Sequence, residues 1–248
     1  QVYDGSNNLM VGAPNPLQGP NDAGSGTSVQ GAYSLLLPGG EHKYLLFTSQ
    51  GVDGEQNGFR VNEIDMSLPG NGTVSSPLGE MTSSNVEIMS TGTEMLTAFG
   101  NCGTDSVWLI THSPNSWEFI SILVTSNGIQ EINTQSLITN PQNGNGFLDV
   151  KGRASMDISS DGTRLVMTGE SPTGTFLLNF NRHTGEVSDP IEILVPHPVH
   201  DGFEISYHGY GSEFSPDGRF IYLSSNKDYM NNMEPTFFFI HDMETHEP

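Results

Sequence analysis

Positive charge is what this sequence most lacks: 8 Lys and Arg stand against 29 Asp and Glu, a formal net charge of −21 over 248 residues. Nucleic-acid binding needs Lys and Arg to displace counterions from phosphate, so that partner is excluded. An anionic membrane surface repels the chain for the same reason. Cysteine is nearly absent too. Cys102 is the only one, which excludes an internal disulfide framework, and a lone thiol usually behaves as a small apolar group. Long apolar runs are missing as well. Nothing approaches the ~18 consecutive apolar residues of a bilayer-spanning segment, and clusters such as Leu35-Leu-Leu and Phe237-Phe-Phe-Ile have strand length. The chain opens Gln1-Val-Tyr-Asp, without initiator Met or cleavable signal, as a processed form or an excised piece does. Charged residues of both signs make up 15%, so solubility also rests on Asn, Ser, Thr and Gly. A polar, acidic, Lys-poor composition of this kind is common in secreted or salt-exposed proteins.

Glycine at 29 and proline at 15, with no heptads, point to many turns and short strands and hence to an all-β chain. Two stretches repeat one pattern. The first runs Ala154-Ser-Met-Asp-Ile-Ser-Ser-Asp-Gly-Thr-Arg-Leu-Val-Met, continuing as Thr175-Phe-Leu-Leu-Asn-Phe-Asn. The second runs Tyr210-Gly-Ser-Glu-Phe-Ser-Pro-Asp-Gly-Arg-Phe-Ile-Tyr-Leu, continuing as Thr236-Phe-Phe-Phe-Ile-His-Asp. Each reads strand, Ser-x-Asp-Gly turn, strand, loop, aromatic-rich strand. The Asp-Gly turns at 161–162 and 217–218 stand 217 − 161 = 56 residues apart. Short strands repeating every ~40–60 residues are the signature of propeller blades.

Two further blades have weaker punctuation. One holds strands within 29–37, 43–49 and 59–66 and leaves through Leu68-Pro-Gly-Asn-Gly-Thr. The next holds 94–99, 107–111 and 118–125, with a Ser126-Asn-Gly turn. The expected organisation is a single domain over 1–248, with a partial blade at 1–27, blades at 28–80, 81–140 and 150–195, and an incomplete one at 207–248. Roughly four four-stranded blades are therefore visible. Two closures are open. Either Val2-Tyr-Asp completes the last blade and closes a four-bladed ring, or the chain is part of a six- or seven-bladed ring; the look of the ends favours the second.

Trp108-Leu-Ile-Thr-His-Ser, followed by Phe119-Ile-Ser-Ile-Leu-Val-Thr-Ser-Asn-Gly-Ile, resembles a blade of large secreted Bacteroidetes surface proteins associated with gliding motility and type IX secretion. The Tyr210 to Leu223 run is similar to their next-blade motif. Asn181-Arg-His-Thr-Gly-Glu-Val-Ser resembles their strand-exit turn, and Asn62-Glu-Ile-Asp-Met-Ser an earlier one. Val2-Tyr-Asp with Asn8-Leu-Met looks like the piece before the first full blade. The resemblance implies a propeller ahead of adhesive repeats at the cell surface, and it supplies no catalytic residues. Lys151-Gly-Arg-Ala-Ser departs from the pattern, which would place an aromatic near Ala154.

Several residues are candidates for a site. Registering the two clear repeats sets Glu213 on Asp157, and on innermost strands both carboxylates lie near the central channel. There they either hold a ligand or a hard cation such as Ca²⁺, or accept backbone N–H bonds between blades, the commoner outcome. Asp53, Glu55 and Asn57 in Asp53-Gly-Glu-Gln-Asn-Gly resemble the start of a Ca²⁺ loop. The closing Glu is displaced, with Ile at position 64 and Glu63 one residue early, so this is no EF-hand. His112 and His208 are channel or rim candidates, and Tyr210 is an aromatic near a strand end that could stack on a sugar or a peptide side chain. No G-x-S-x-G elbow supports a serine hydrolase. Asn71-Gly-Thr matches a glycosylation acceptor.

These features describe a non-enzymatic binding or structural module of a secreted or cell-surface protein, meeting a glycan or protein partner. Ca²⁺ is the one cofactor in view. The rival reading is a lactonase-like propeller hydrolase with a metal or polar cluster in the channel, and the fold does not choose between them.

Overall fold

The computed structural model describes residues 1–14, 31–49, 58–90, 92–100, 105–113, 116–137, 154–169, 174–193, 195, 199–200, 203–204, 209–225 and 238–245. Among them there is no helix. The strands fall into separate antiparallel sheets in chain order. The first holds β1 (Ala32–Leu36), β2 (Lys43–Ser49), β3 (Phe59–Asp65) and β4 (Glu80–Met89). The second holds β5 (Leu96–Gly100), β6 (Ser106–His112), β7 (Glu118–Thr125) and β8 (Gly128–Ser136). The third holds β9 (Ala154–Ile158), β10 (Arg164–Gly169), β11 (Gly174–Asn181) and β12 (Glu186–Ile193). A two-stranded pair, β13 (Val199–His200) and β14 (Phe203–Glu204), precedes a three-stranded sheet of β15 (Gly209–Phe214), β16 (Phe220–Ser225) and β17 (Phe238–Asp242). Within each large sheet the strands pair in simple sequence order, the meander of a propeller blade.

The Ser-x-Asp-Gly turns form as their chemistry demands. Gly162 N–H and Gly218 N–H bond back to the carbonyls of Ser159 and Ser215, each at 2.8 Å. Ser159 Oγ donates to Asp161 Oδ1 (2.7 Å) and accepts from Arg164 N–H (3.0 Å). Ser215 repeats this with Asp217 (2.5 Å) and Phe220 N–H (2.9 Å). Burial pushes the Asp161 carboxyl up, but bonds from Ser159 and Thr163 outweigh it and hold it below the usual carboxylate range; bonds from Ser215 and Arg219 N–H lower Asp217 likewise. Gly162 (φ 66°) and Gly218 (φ 72°) occupy the left-handed region that a side chain resists.

Successive blades stack face to face over apolar seams. Phe47 and Phe59, stacked at 5.8 Å, meet Leu96, Leu109, Ile120 and Ile122 between the first and second. Trp108, Ile110 and Phe119 meet Met156, Leu165, Phe176 and Leu178 between the second and third. Val166, Leu177 and Ile193 meet Phe214, Ile221 and Leu223 in the last seam. Fully burying each such side chain contributes about 2 kcal/mol. Polar bonds add to the middle seam. Gln135 on β8 accepts from Val187 N–H (2.8 Å) and donates to the Gly185 carbonyl (3.0 Å), to which Ser121 Oγ also donates. The exit turn at 181–186 is thus clamped onto the preceding blade.

One departure from expectation concerns a boundary. The outer strand of the first blade runs to Met89, beyond the expected limit at residue 80. Of the two closures left open, the one in which Val2-Tyr-Asp completes the last blade is not seen: residues 1–13 do not supply a fourth strand to the last sheet. They fold back on themselves through a Tyr3–Leu9 bridge, join β4 through a Val11–Glu80 bridge, and bury Met10 against Met81. Asn71 is correspondingly engaged: its Nδ2 donates to Asp4 Oδ2 (2.8 Å) and to the Leu9 carbonyl (3.0 Å), pinning this segment rather than offering a free amide.

Every sheet has two ends. At one, the turn face, lie the connections from first to second strand and from third to fourth. At the other, the loop face, second strands end and first strands begin. The first strands β1, β5, β9 and β15 are the innermost, with β5 next to β1 and β9, and β15 next to β9 and β10.

Candidate functional site

The innermost strands bring Asp157, Glu213 and Tyr33 towards one space. Asp157 lies on β9 opposite Val166, on the face turned to the fourth sheet. Its Oδ2 accepts from Phe214 N–H of β15 at 2.8 Å, and its carboxylate also takes a bond from Ile158 N–H. One residue pair earlier, Ser155 Oγ accepts from Ser212 N–H at 2.6 Å, and the two buried hydroxyls lie 3.0 Å apart. Asp157 and Ser155, two residues apart on one strand, therefore stitch the third blade to the fourth. Burial pushes the Asp157 carboxyl above its ordinary range, the two N–H bonds pull it down, and the Glu213 charge pushes it further up. Burial likewise raises the Tyr33 phenol, and the Asp157 charge adds to the rise. Glu213 is exposed, and the half-buried Tyr210 is the extra residue where β15 slips register between Gly209 and Gly211.

Among the sequence-predicted candidates, Asp157 feels the charge of Glu213, but its hydrogen bond across the seam comes from the next residue, Phe214 N–H. His112 does not join them, which corrects its expected channel or rim position. It lies on β6, the second strand of its blade, sharing a sheet face with Trp108 and Ile110, and that face enters the seam with the third blade. The ring is fully buried, packs edge-on to Phe119 at 4.8 Å, and has no hydrogen-bond partner among the described residues at Nδ1 or Nε2. Burial lowers its pKa to about 4, so at neutral pH the imidazole is uncharged. His208 and the Asp53, Glu55 and Asn57 loop lie outside the described residues. Among the described residues no three His, Cys, Asp or Glu side chains converge as a metal site would require.

Tyr33, Ser155 and Ser212 were not found from sequence. The last sheet is staggered by one residue against the third blade relative to the repeat. Repeat alignment therefore sets Ser212 on Met156, whereas its bonding partner is Ser155. For Tyr33 the available signal was an aromatic on the innermost strand of a blade. The four innermost strands read Ala-Tyr-Ser-Leu-Leu, Leu-Thr-Ala-Phe-Gly, Ala-Ser-Met-Asp-Ile and Gly-Tyr-Gly-Ser-Glu-Phe, without a single Lys or Arg.

No family model and no curated protein matches the sequence. Solved structures do match. A candidate 6-phosphogluconolactonase from Bacteroides fragilis is similar over 87% of this chain and 51% of its own, with 12% identity and a TM-score of 0.50. Hydrazine synthase from Kuenenia stuttgartiensis matches 90% of this chain and 50% of its own, at 13% identity and TM-score 0.45. The β-propeller domain of the Trilobed protease from Pyrococcus furiosus matches 86% and 70%, at 10% identity and TM-score 0.35. At such identities the likeness concerns the fold alone. Together with the stacked four-stranded meanders it defines the class: this is a β-propeller chain. The chain spans about half the length of the first of these structures, 51% of it.

Proposed function

We propose that the chain is the propeller of a secreted or cell-surface protein and acts there as a non-enzymatic binding or structural module, presenting its loop face to a glycan or protein. The observation that carries this reading is the fate of Asp157. Its carboxylate is spent on the backbone of the next blade, as a structural acceptor is. Packed seams on both sides of each inner blade supply the rigidity a presenting scaffold needs. The acidic, Lys-poor composition and the ordered motifs resembling Bacteroidetes surface proteins support the location. The test is thermal melting with added Ca²⁺ and with chelator, followed by a glycan array. A ligand of the folded state raises the melting point. Glycan binding with a Ca²⁺-independent midpoint is expected; hydrolysis of an array sugar would contradict the reading.

A second reading, a lactonase-like hydrolase, is favoured by one observation: a carboxyl raised by burial beside an exposed carboxylate is an acid and base pair in outline. Without Lys or Arg on the innermost strands, its substrate would be a neutral lactone rather than a phosphorylated one. In an assay with δ-valerolactone, this reading expects turnover that falls roughly 100-fold or more in Asp157→Asn and Glu213→Gln. Absent turnover in the wild-type chain leaves the binding module.

A further inference from the structure

We infer that a cleft on the turn face, between the first and second blades and away from the loop face, is a binding subsite for a neutral saccharide. The cleft has a volume of about 440 Å³, within the range of small-molecule sites. Its floor is set by strand register. Lys43 stands opposite Asp65, and Leu45 opposite Glu63, so these four side chains share the face of β2 and β3 turned to the second blade. The facing wall is the Ser126, Asn127, Gly128 turn between β7 and β8.

The sheet is irregular where this floor lies. Pairing of β3 with β4 shifts on both sides of Glu63 and again near Phe59, whereas the equivalent pairings in the second and third blades shift once each. Bulges of this kind re-aim side chains and gather beside functional sites. Asn85 takes a positive φ of 56° here, a conformation that costs a non-glycine residue energy. A fully buried Asn62 holds the distortion, accepting from Asn85 N–H at 2.8 Å and donating to the Leu46 carbonyl at 2.9 Å.

The polar groups that reach the cleft are largely unspent. Asp65 Oδ1 is occupied by Ser67, but the side chains of Lys43, Glu63 and Asn127 make no hydrogen bond to a described residue. Their chemistry selects the ligand. An anion meets two carboxylates for one ammonium, on a chain of net charge −21. A cation meets the Lys43 ammonium, opposite Asp65 and on the same face as Glu63. A neutral molecule dense in hydroxyls uses donors (Lys43, Asn127 Nδ2) and acceptors (Glu63, Asn127 Oδ1) together. Leu45 and Leu37 then cover the C–H face of a sugar ring.

The experiment is saturation-transfer NMR on the full chain with glucose, galactose, mannose and N-acetylglucosamine, in the wild type and in Glu63→Ala and Asn127→Ala. Both residues are exposed, so neither variant should lose its fold, and a melting curve checks this. Transfer to the ring protons of at least one sugar is expected, with affinity about tenfold weaker in each variant. No transfer to any of the four sugars, or affinity unchanged in both variants, overturns the subsite. Glycan-array binding that persists while saturation transfer is unchanged in both variants overturns the subsite and leaves the loop-face module intact, because the two faces are at opposite ends of the sheets.

Discussion

Gly162→Ala is expected to lower the unfolding free energy by roughly 3 kcal/mol, and Gly218→Ala, its counterpart in the next repeat, by about 1 kcal/mol. Both glycines lie at positive φ, 66° and 72°, so both substitutions incur the left-handed backbone cost of about 1 kcal/mol. Their surroundings differ. A Cβ on Gly218 meets nothing within 4 Å, whereas a Cβ on Gly162 would fall 2.4 Å from Phe99 Cζ. Phe99 cannot swing aside freely, because it packs edge-on to Phe180 at 6.1 Å against the middle seam. The remaining ~2 kcal/mol is the overpacking of that ring. Gly218→Val should exceed Gly218→Ala through its β-branch alone. Urea unfolding of the variants measures the difference, and equal losses at 162 and 218 would show that Phe99 does not wedge against the turn.

That contrast also marks how far the sequence could be read. Ser-x-Asp-Gly is local chemistry, a hydroxyl and a carboxylate satisfying the turn's own N–H groups, so its two copies disclosed the blade period and the turn positions. Strand limits followed where apolar runs adjoined other glycine turns too: Lys43–Ser49, after Pro38-Gly-Gly, and Glu118–Thr125, before Ser126-Asn-Gly, read correctly to the residue. Outer strands did not announce themselves, because β4 and β8 are largely solvated and polar, with little periodic apolar signal. The contacts that make a site were less legible still. Asp157 was identifiable as a carboxylate on the first strand of its blade, but its bond to Phe214 N–H depends on the stagger between blades, which no single repeat encodes. Nor does the cleft between the first two blades exist in any one segment. It requires the irregular β3–β4 pairing and a turn from the neighbouring sheet, both products of tertiary packing. His112 was misread for a related reason: a polar residue near a strand end looks like a rim residue until its strand is known to be second from the channel and its face known to enter a seam.

The burial of His112 makes the fold acid-sensitive. Its pKa in the native state is about 4, against an ordinary value of 6.5, and the sole cause is desolvation. Between those values the unfolded chain binds a proton that the native seam rejects. Stability from this group is therefore fully present above pH 6.5 and is lost as pH falls towards 4. At 1.36 kcal/mol per unit, that loss reaches roughly 3 kcal/mol, a large part of a typical domain's stability. Asp157 acts in the opposite sense. Its raised native pKa means the folded state holds a proton more readily than the unfolded one, so it regains some stability as pH falls through its own range and softens the decline. The lowered carboxyls of Asp4, Asp65 and Asp242 lose their contribution only below the ordinary Asp value of 3.8, beneath the histidine window. His112→Leu isolates the effect. It removes two buried nitrogens that have no hydrogen-bond partner among the described residues and leaves an apolar side chain against Phe119, so at pH 7.5 the variant should be at least as stable as the wild type. Its denaturation midpoint should then change far less between pH 6.5 and 4.5. Parallel pH profiles for the two proteins would mean that the imidazole is hydrated or paired in solution, and that the seam opens to water at that end.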